Sequence, residues 1–264
     1  MRTLTAVLVA ALFASAAHAE EQEWTLRIKK EAQQLSIQLG GTHLYGSGSP
    51  RVKGSGQLVT KARSVAPFSK VRVDGPVDVK LVPADKEALS VRADDNLEPL
   101  ITTTVEGDTL VVGLKPGTGL STKNELLVAV EFKQLQRIHL RGSGDARIDR
   151  VKGERFEAEL SGSGDLAIGL LEVRELIARL SGSGDLQLAG QAEQQDWELS
   201  GSGDASAASL SGRRVKARLS GSGDLRLGVS QELDAQLSGS GDLSYSGRPV
   251  VKSQVSGSGE LSAR

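Results

Sequence analysis

A tetrapeptide, Gly-Ser-Gly-Asp, recurs through the second half of this chain at an almost fixed interval. Copies end at Asp145, Asp165, Asp185, Asp204, Asp224 and Asp242, and a seventh ends in Glu260, with spacings of 20, 20, 19, 20, 18 and 18 residues. A unit of about 20 residues cannot bury an apolar face alone, so a fixed period of this length implies units stacked on one another around a continuous core. The flanking residues alternate. Ala158 and Leu160 lead into Ser161-Gly162-Ser163-Gly164-Asp165, and Leu166 and Ile168 leave it; Ala178, Leu180, Leu186 and Leu188 repeat the pattern, as do Ala217, Leu219, Leu225 and Leu227. This order reads as two short period-2 strands around a glycine corner, with a further apolar pair closing the unit. The corner glycines are expected to supply positive φ. One such unit is one coil of an all-β parallel β-helix, with coils of 18–20 residues. Coils rise by about 4.8 Å, so six intervals stack the corners over roughly 29 Å. A leucine-rich repeat has a similar period but needs a signature absent here. A β-sandwich of hairpins would not need one identical corner at constant spacing.

The rest of the chain divides by pattern. Residues 1–19 have the layout of a secretory signal peptide: Arg2, an uncharged apolar run from Leu4 to Ala17, and Ala17-His18-Ala19 before Glu20, with cleavage expected after Ala19. The run is short for a membrane span, which needs about 20 residues. Export to the periplasm or beyond is therefore expected. Residues 20–61 mix short alternation with Gly-Ser-Gly segments and are expected to form an N-terminal cap or extension. The β-helix domain is expected over 62–264. Within it, residues 62–140 form irregular coils or a capping subdomain (Val71, Val73, Val77, Val79 and Leu81 alternate, and Asp74-Gly75-Pro76 marks a turn), and residues 141–264 form the regular coils.

Composition excludes several classes. Lys plus Arg number 32 against 33 Asp plus Glu, a formal charge of -1, which gives no electrostatic case for nucleic acid. The absence of Cys excludes disulfides, thiolate metal sites and a cysteine nucleophile. Aromatics at 3% leave little for base or sugar stacking. Beyond the signal segment only His43 and His139 are histidines, with no metal-binding spacing and no paired catalytic motif. His139, between Ile138 and Leu140, reads as an outward surface residue.

The candidate site is the acidic ladder itself: Asp145, Asp165, Asp185, Asp204, Asp224, Asp242 and Glu260. Carboxylates stacked about 4.8 Å apart repel by roughly 0.9 kcal/mol in water and about 3.5 kcal/mol at an effective dielectric of about 20. Three arrangements answer this repulsion. The carboxylates accept bonds from turn N–H groups or Ser hydroxyls; they share calcium between coils; or they line a polysaccharide site along the Ser/Asp edge. Calcium-binding β-rolls repeat every nine residues, a poor match to this period. Catalysis needs an acid and a base in different environments, whereas these acids are nearly identical from coil to coil. The expectation is thus a non-enzymatic chain without an obligate cofactor. The alternatives are a polysaccharide-acting β-helix enzyme and a calcium-binding solenoid. The C-terminal coil is expected to pair with other residues of the chain or to mediate self-association through its strand edge.

The stretch Phe68-Ser69-Lys70-Val71-Arg72-Val73-Asp74-Gly75-Pro76-Val77-Asp78-Val79, the region Leu97 to Val112 and the serial Ser-Gly-Ser-Gly-Asp-Leu units resemble the family called the putative auto-transporter adhesin head GIN domain. The resemblance spans about residues 60–262. It implies a right-handed, single-stranded, pectin-lyase-like β-helix, export from a bacterium, and adhesion to an envelope polysaccharide or surface protein. It implies no catalytic residues. The final copy departs from the pattern, with Glu260 in place of Asp.

Overall fold

The computed structural model describes residues 51–264; the expected signal segment and residues 20–50 of the expected extension lie outside the described residues. The regular part begins with β10 (Arg137–Gly142) and continues through β11 (Ala146–Leu160), β12 (Leu166–Leu180), β13 (Leu186–Leu199), β14 (Ala205–Leu219) and β15 (Leu225–Leu237). It ends with β16 (Leu243–Ser246), β17 (Val250–Val255) and β18 (Leu261–Ala263). Every pairing among these strands is parallel and joins one coil to the next. The fold is a parallel β-solenoid, as the period requires.

The register places one residue of each coil directly over its equivalent. Ala146, Leu166, Leu186, Ala205, Leu225, Leu243 and Leu261 form the column after the corner. Leu140, Leu160, Leu180, Leu199, Leu219 and Leu237 form the column before it, and all six are buried. Alternation of inward and outward residues slips at Gly169-Leu170 and again at Arg174-Glu175, where two successive side chains face away from the core. Each slip marks a bend, so a coil has three sides, and strand pairing runs on through both bends. The core is filled by matching large residues to small neighbours. Trp197 is fully buried between Ala178 and Ala217, and its indole N–H donates to Gln195 Oε1 at 2.9 Å, while Gln195 Nε2 donates to Ala192 O at 3.3 Å. The indole N–H thereby stays satisfied inside an apolar core.

The corner glycines correct an expectation. Of the fourteen glycines in the seven corners only Gly142 has positive φ, at 142°. Their shared requirement is proximity. A Cβ on Gly162 would strike the carbonyl oxygen of Gly142 below it, a Cβ on Gly164 that of Gly144, and the same collision recurs at every later corner. The corners stack so closely because the N–H groups of Ser163 and Gly164 both donate to Gly142 O, at 2.8 and 3.2 Å, a pattern that most later corners copy.

The beginning of the stack is built out of chain order. β3 (Lys70–Gly75) and β4 (Asp78–Pro83) form a coil around Gly75-Pro76-Val77, and β10 and β11 lie on it in parallel. Between them the chain makes β5 (Ala88–Asp94), β6 (Ile101–Glu106), β7 (Thr109–Leu114), β8 (Gly119–Ser121) and β9 (Leu127–Phe132). β7 and β9 pair in parallel with the other edges of β3 and β4. Antiparallel strands follow: β6 on β7, β5 on β9, and β2 (Leu58–Arg63) on β5. β1 (Arg51–Lys53) pairs with β8 in a separate two-stranded sheet.

Candidate functional site

The acidic ladder is a chain of hydrogen bonds. The backbone N–H of Asp165 donates to Asp145 Oδ1 at 3.0 Å, that of Asp185 to Asp165 Oδ1 at 2.8 Å, and that of Asp204 to Asp185 Oδ1 at 3.1 Å. Asp224, Asp242 and Glu260 continue the series, donating to Asp204, Asp224 and Asp242 at 2.8, 2.9 and 2.8 Å. On either side of this residue backbone carbonyls serve: Gly142 O accepts from Ser163 and Gly164, and Asp165 O accepts from Ala146 at 2.8 Å. At the corner itself the carboxylate of the coil below stands in for a carbonyl, satisfying an N–H that would otherwise have no partner in the ladder. An aspartate has the reach to do this for the next coil. Glu260 donates, but no described residue donates to its carboxylate, so a longer side chain fits there. Among the described residues, no group of three or more His, Asp or Glu is placed to hold a metal ion.

The ladder has one rung that the repeat did not announce. The N–H of Asp145 donates to Asp78 Oδ1 at 2.8 Å. Gly75-Pro76-Val77-Asp78 is thus the first corner, and the glycine three residues before its acid is the only trace of the motif. Burial raises the Asp78 carboxyl above the usual carboxylate range; the Asp145 N–H works against that shift and the nearby Asp145 and Glu125 charges add to it. The serines have a related use. The hydroxyls of Ser220, Ser238 and Ser256 lie 3.3–3.4 Å from the leucine carbonyls of the preceding coil.

The face before the corner carries charge that alternates in sign from Glu159 onward. Arg72, His139, Glu159, Arg179, Glu198 and Arg218 lie over one another in successive coils. Arg137 Nη2 donates to Glu159 at 2.6 Å, Arg179 Nη1 donates to Glu157 at 2.5 Å and to Glu159 at 3.0 Å, and Arg218 donates to Asp196 at 3.1 Å. Half-exposed pairs of this kind contribute only about 0.2–1 kcal/mol each. Their larger effect is to keep like charges from lying directly over one another, which is destabilising across paired strands. Along the adjoining edge run two clefts. One, of about 570 Å³, is lined by Lys70, Gln134, Gln136, Arg137, Lys152 and Arg155 and by the acids Glu154 and Glu157. The other, of about 380 Å³, includes Glu175, Gln194, Asp196, Arg214, Lys216 and Glu232. Arg155 Nη1, 3.2 Å from both Glu175 oxygens, bridges them.

His139 faces outward, as the alternation of β10 implies, but it has partners that the sequence reading did not name. It lies directly opposite Glu159, its Nε2 is 3.1 Å from Ser161 Oγ, and its Nδ1 is 3.4 Å from Glu159 Oε2. Burial lowers its pKa below the usual histidine value, with Glu159 opposing and Arg137 and Arg141 assisting. Burial would raise the Glu159 carboxyl, but Arg137, His139 and Arg179 hold it below the ordinary range. The signal was present in the period. Adding 20 to 139 gives Glu159, and Ser161 follows two residues later, just past the end of β11.

A corner that recurs with glycine and aspartate in coil after coil, stacked in register, is the trait by which the sequence resembled a family, and the family model agrees. The model described as "Putative auto-transporter adhesin, head GIN domain" matches residues 67–249. The chain belongs to this family. Solved structures share the GIN domain's fold. A putative adhesin from Bacteroides fragilis superposes with a TM-score of 0.78 at 24% identity, covering 81% of this chain and 100% of that one. A putative lipid binding protein from Parabacteroides distasonis superposes with a TM-score of 0.70 at 24% identity, with the same coverage. A putative adhesin from Parabacteroides merdae gives 0.66 at 22% identity, covering 81% of this GIN protein and 99% of its own chain. No curated protein matches the chain. Among the described residues, no helix is long and apolar enough to cross a membrane.

Proposed function

We propose that this GIN domain protein is an exported binding module of the bacterial envelope whose ligand is an acidic polysaccharide. The observation that carries the reading is the paired cleft along one edge of the solenoid, away from the Gly/Asp corner. Four cations (Lys70, Arg137, Lys152 and Arg155) outnumber the two acids Glu154 and Glu157 in the larger cleft, and the amides of Gln134 and Gln136 stand beside them. Cations recognise carboxylates, and amides can both donate to and accept from sugar hydroxyls. The volume falls within the range of about 300–1,000 Å³ typical of ligand sites. A rigid solenoid presents such groups at one coil spacing, which suits an extended repetitive polymer better than a compact ligand. The signal layout of residues 1–19 supports export, and the adhesin naming of the family supports binding over turnover as its main task.

The test is a thermal melt of the full chain with polyuronates, neutral glucans and peptidoglycan fragments. A polyuronate at about 100 times its Kd is expected to stabilise the fold by roughly 2.7 kcal/mol. The double substitution Lys152→Gln with Arg155→Gln, which places no like charge opposite Glu172 or Glu175, is expected to remove that shift and change the unliganded melt little. A shift that survives the double substitution, or that appears equally with neutral glucan, contradicts the assignment of this cleft.

A further inference from the structure

We propose that Ser161, His139 and Glu159 form a reactive-serine site that hydrolyses small acyl esters, an activity beyond the binding role above and independent of it. The three side chains line one open depression of about 250 Å³, together with Arg179, Ser181, Glu198 and Ser200. Nucleophile and base are at hydrogen-bond distance, 3.1 Å from Ser161 Oγ to His139 Nε2. A carboxylate oxygen, Glu159 Oε2, lies 3.4 Å from the other ring nitrogen. Ser–His–carboxylate is the order of roles that activates a serine, whatever the fold or chain order. Contacts of this kind are commonly loose before substrate binds.

Three further features fit. His139 is only about a quarter exposed, and burial favours its neutral form, the form that can accept a proton. Glu159 is held ionised by Arg137 and Arg179, so it can orient Nδ1–H toward itself and leave Nε2 to accept from the serine hydroxyl. The site is also singular within a repetitive surface. Ser181 and Ser200 occupy the same corner position in the next two coils, but there the stacked outward pair His139–Glu159 is replaced by Glu159–Arg179 and by Arg179–Glu198. The depression is small, open and rimmed by hydroxyls, which suits an acetyl-sized group over a long acyl chain.

The chemistry balances with water as the co-reactant. Ser161 Oγ attacks the ester carbonyl carbon while its proton passes to His139 Nε2. The C–O bond to the alcohol breaks, the leaving oxygen takes that proton, and an acyl-serine remains. Water then gives a proton to Nε2 and attacks the acyl carbon, the bond from that carbon to Ser161 Oγ breaks, and the Nε2 proton passes to Oγ, releasing the carboxylic acid and restoring both Ser161 and neutral His139. Glu159 acts through His139 and is a positioning residue.

The experiment uses the full chain with p-nitrophenyl acetate and with a fluorophosphonate probe whose site is located by peptide mass. The expected results are a nitrophenolate burst and phosphonylation at Ser161. Ser161→Ala should abolish both, and His139→Gln should slow both by about 10²–10⁴-fold. Ser220→Ala, at the equivalent corner position but outside the depression, should change neither. The rate should fall as pH drops through a midpoint below the ordinary histidine value, since burial, Arg137 and Arg141 outweigh Glu159 and Asp74 at this imidazole, with Arg72 facing it from β3. Glu159→Gln should move that midpoint further to acid, because it removes the carboxylate that favours the imidazolium. All three side chains face outward, and unchanged thermal melts would separate loss of chemistry from loss of fold. Absence of labelling, labelling spread equally over Ser161, Ser181 and Ser200, or ester cleavage that survives Ser161→Ala each overturns the proposal.

Discussion

The regular coils from Asp145 onward and the N-terminal part from Arg51 to Leu140 bury similar cores by different means. In the coils one device is reused. Two glycines let the backbones approach, an aspartate spans the corner to the next N–H, and a serine covers a leucine carbonyl. In the N-terminal part each polar problem has its own solution. Asp94 is buried and accepts from the Thr122 hydroxyl at 2.5 Å, from Asn124 Nδ2 at 2.6 Å and from the Gly56 N–H at 3.1 Å, tying the segment after β1 to the segment after β8. Glu98, also buried, pairs with Arg63 at 2.6 Å and Lys61 at 2.9 Å. Repetition therefore distributes stability over many equivalent bonds, while the irregular end concentrates it in a few unique ones. Most repeated residues are occupied with stacking; Ser161 keeps the repeat's contact with a leucine carbonyl, Leu140 O at 3.5 Å, and also meets His139. Residues that depart from the repeat, such as His139, Lys152 and Arg155, are the ones free to give the surface a function.

Substitutions can break this contrast. The largest effect is expected at a corner glycine. Gly184→Ala drives a Cβ into Gly164 O, a backbone atom fixed by the stack, and should cost about 3 kcal/mol or more. Gly153→Ala has no atom within 4 Å of the added Cβ and should stay within about 0.5 kcal/mol, which urea denaturation would show. Next, Arg63→Ala leaves buried Glu98 with Lys61 as its remaining cation and should cost about 3 kcal/mol, the lower end for breaking a buried pair. Equal, small costs at Gly184 and Gly153 would end the stacking account of the motif. A smaller cost, about 1–2 kcal/mol, is expected for Asp185→Ala, and less for Asp185→Asn, whose Oδ1 still accepts from Asp204.

The smallest effect is a matter of pH. Among the described residues four carboxylates are held below the usual range, and three of them, Asp94, Glu98 and Asp108, belong to the N-terminal part. The Thr122 hydroxyl and Asn124 amide lower Asp94; burial would raise Glu98, but Lys61 and Arg63 outweigh it; Lys70 lowers Asp108. A lowered folded-state pKa contributes stability that is present above the unfolded value and is lost as pH falls through the folded one. Acid titration followed by limited proteolysis should therefore open the N-terminal part before the coils. The coils opening first would contradict the contrast.

Much of the fold was legible because the period is a direct image of the stack: every corner acid from Asp145 to Glu260 lies where a spacing of 18–20 residues puts it. Three features were hidden for physical reasons. The antiparallel strands β2, β5 and β6 alternate with period 2 as parallel ones do, so their direction leaves no mark in the pattern. Asp78 lacked the serines and second glycine of its later equivalents. The His139–Ser161 contact joins residues 22 apart, which no local motif reports; the period points to it only once the register of β10 on β11 is known. The expectation of positive φ at the corners failed because glycine served a second requirement, the closeness of the coil below.

The central claim is that each corner aspartate supports the coil that follows it. Amide hydrogen exchange of the Asp185→Ala chain tests this directly, because the bond has a direction: Asp185 accepts from the Asp204 N–H and donates its own N–H to Asp165. The expected result is faster exchange at Asp204 and its corner, with Asp185 and the corner at Asp165 still protected. Unchanged exchange at Asp204, or equal loss of protection on both sides, would contradict the claim.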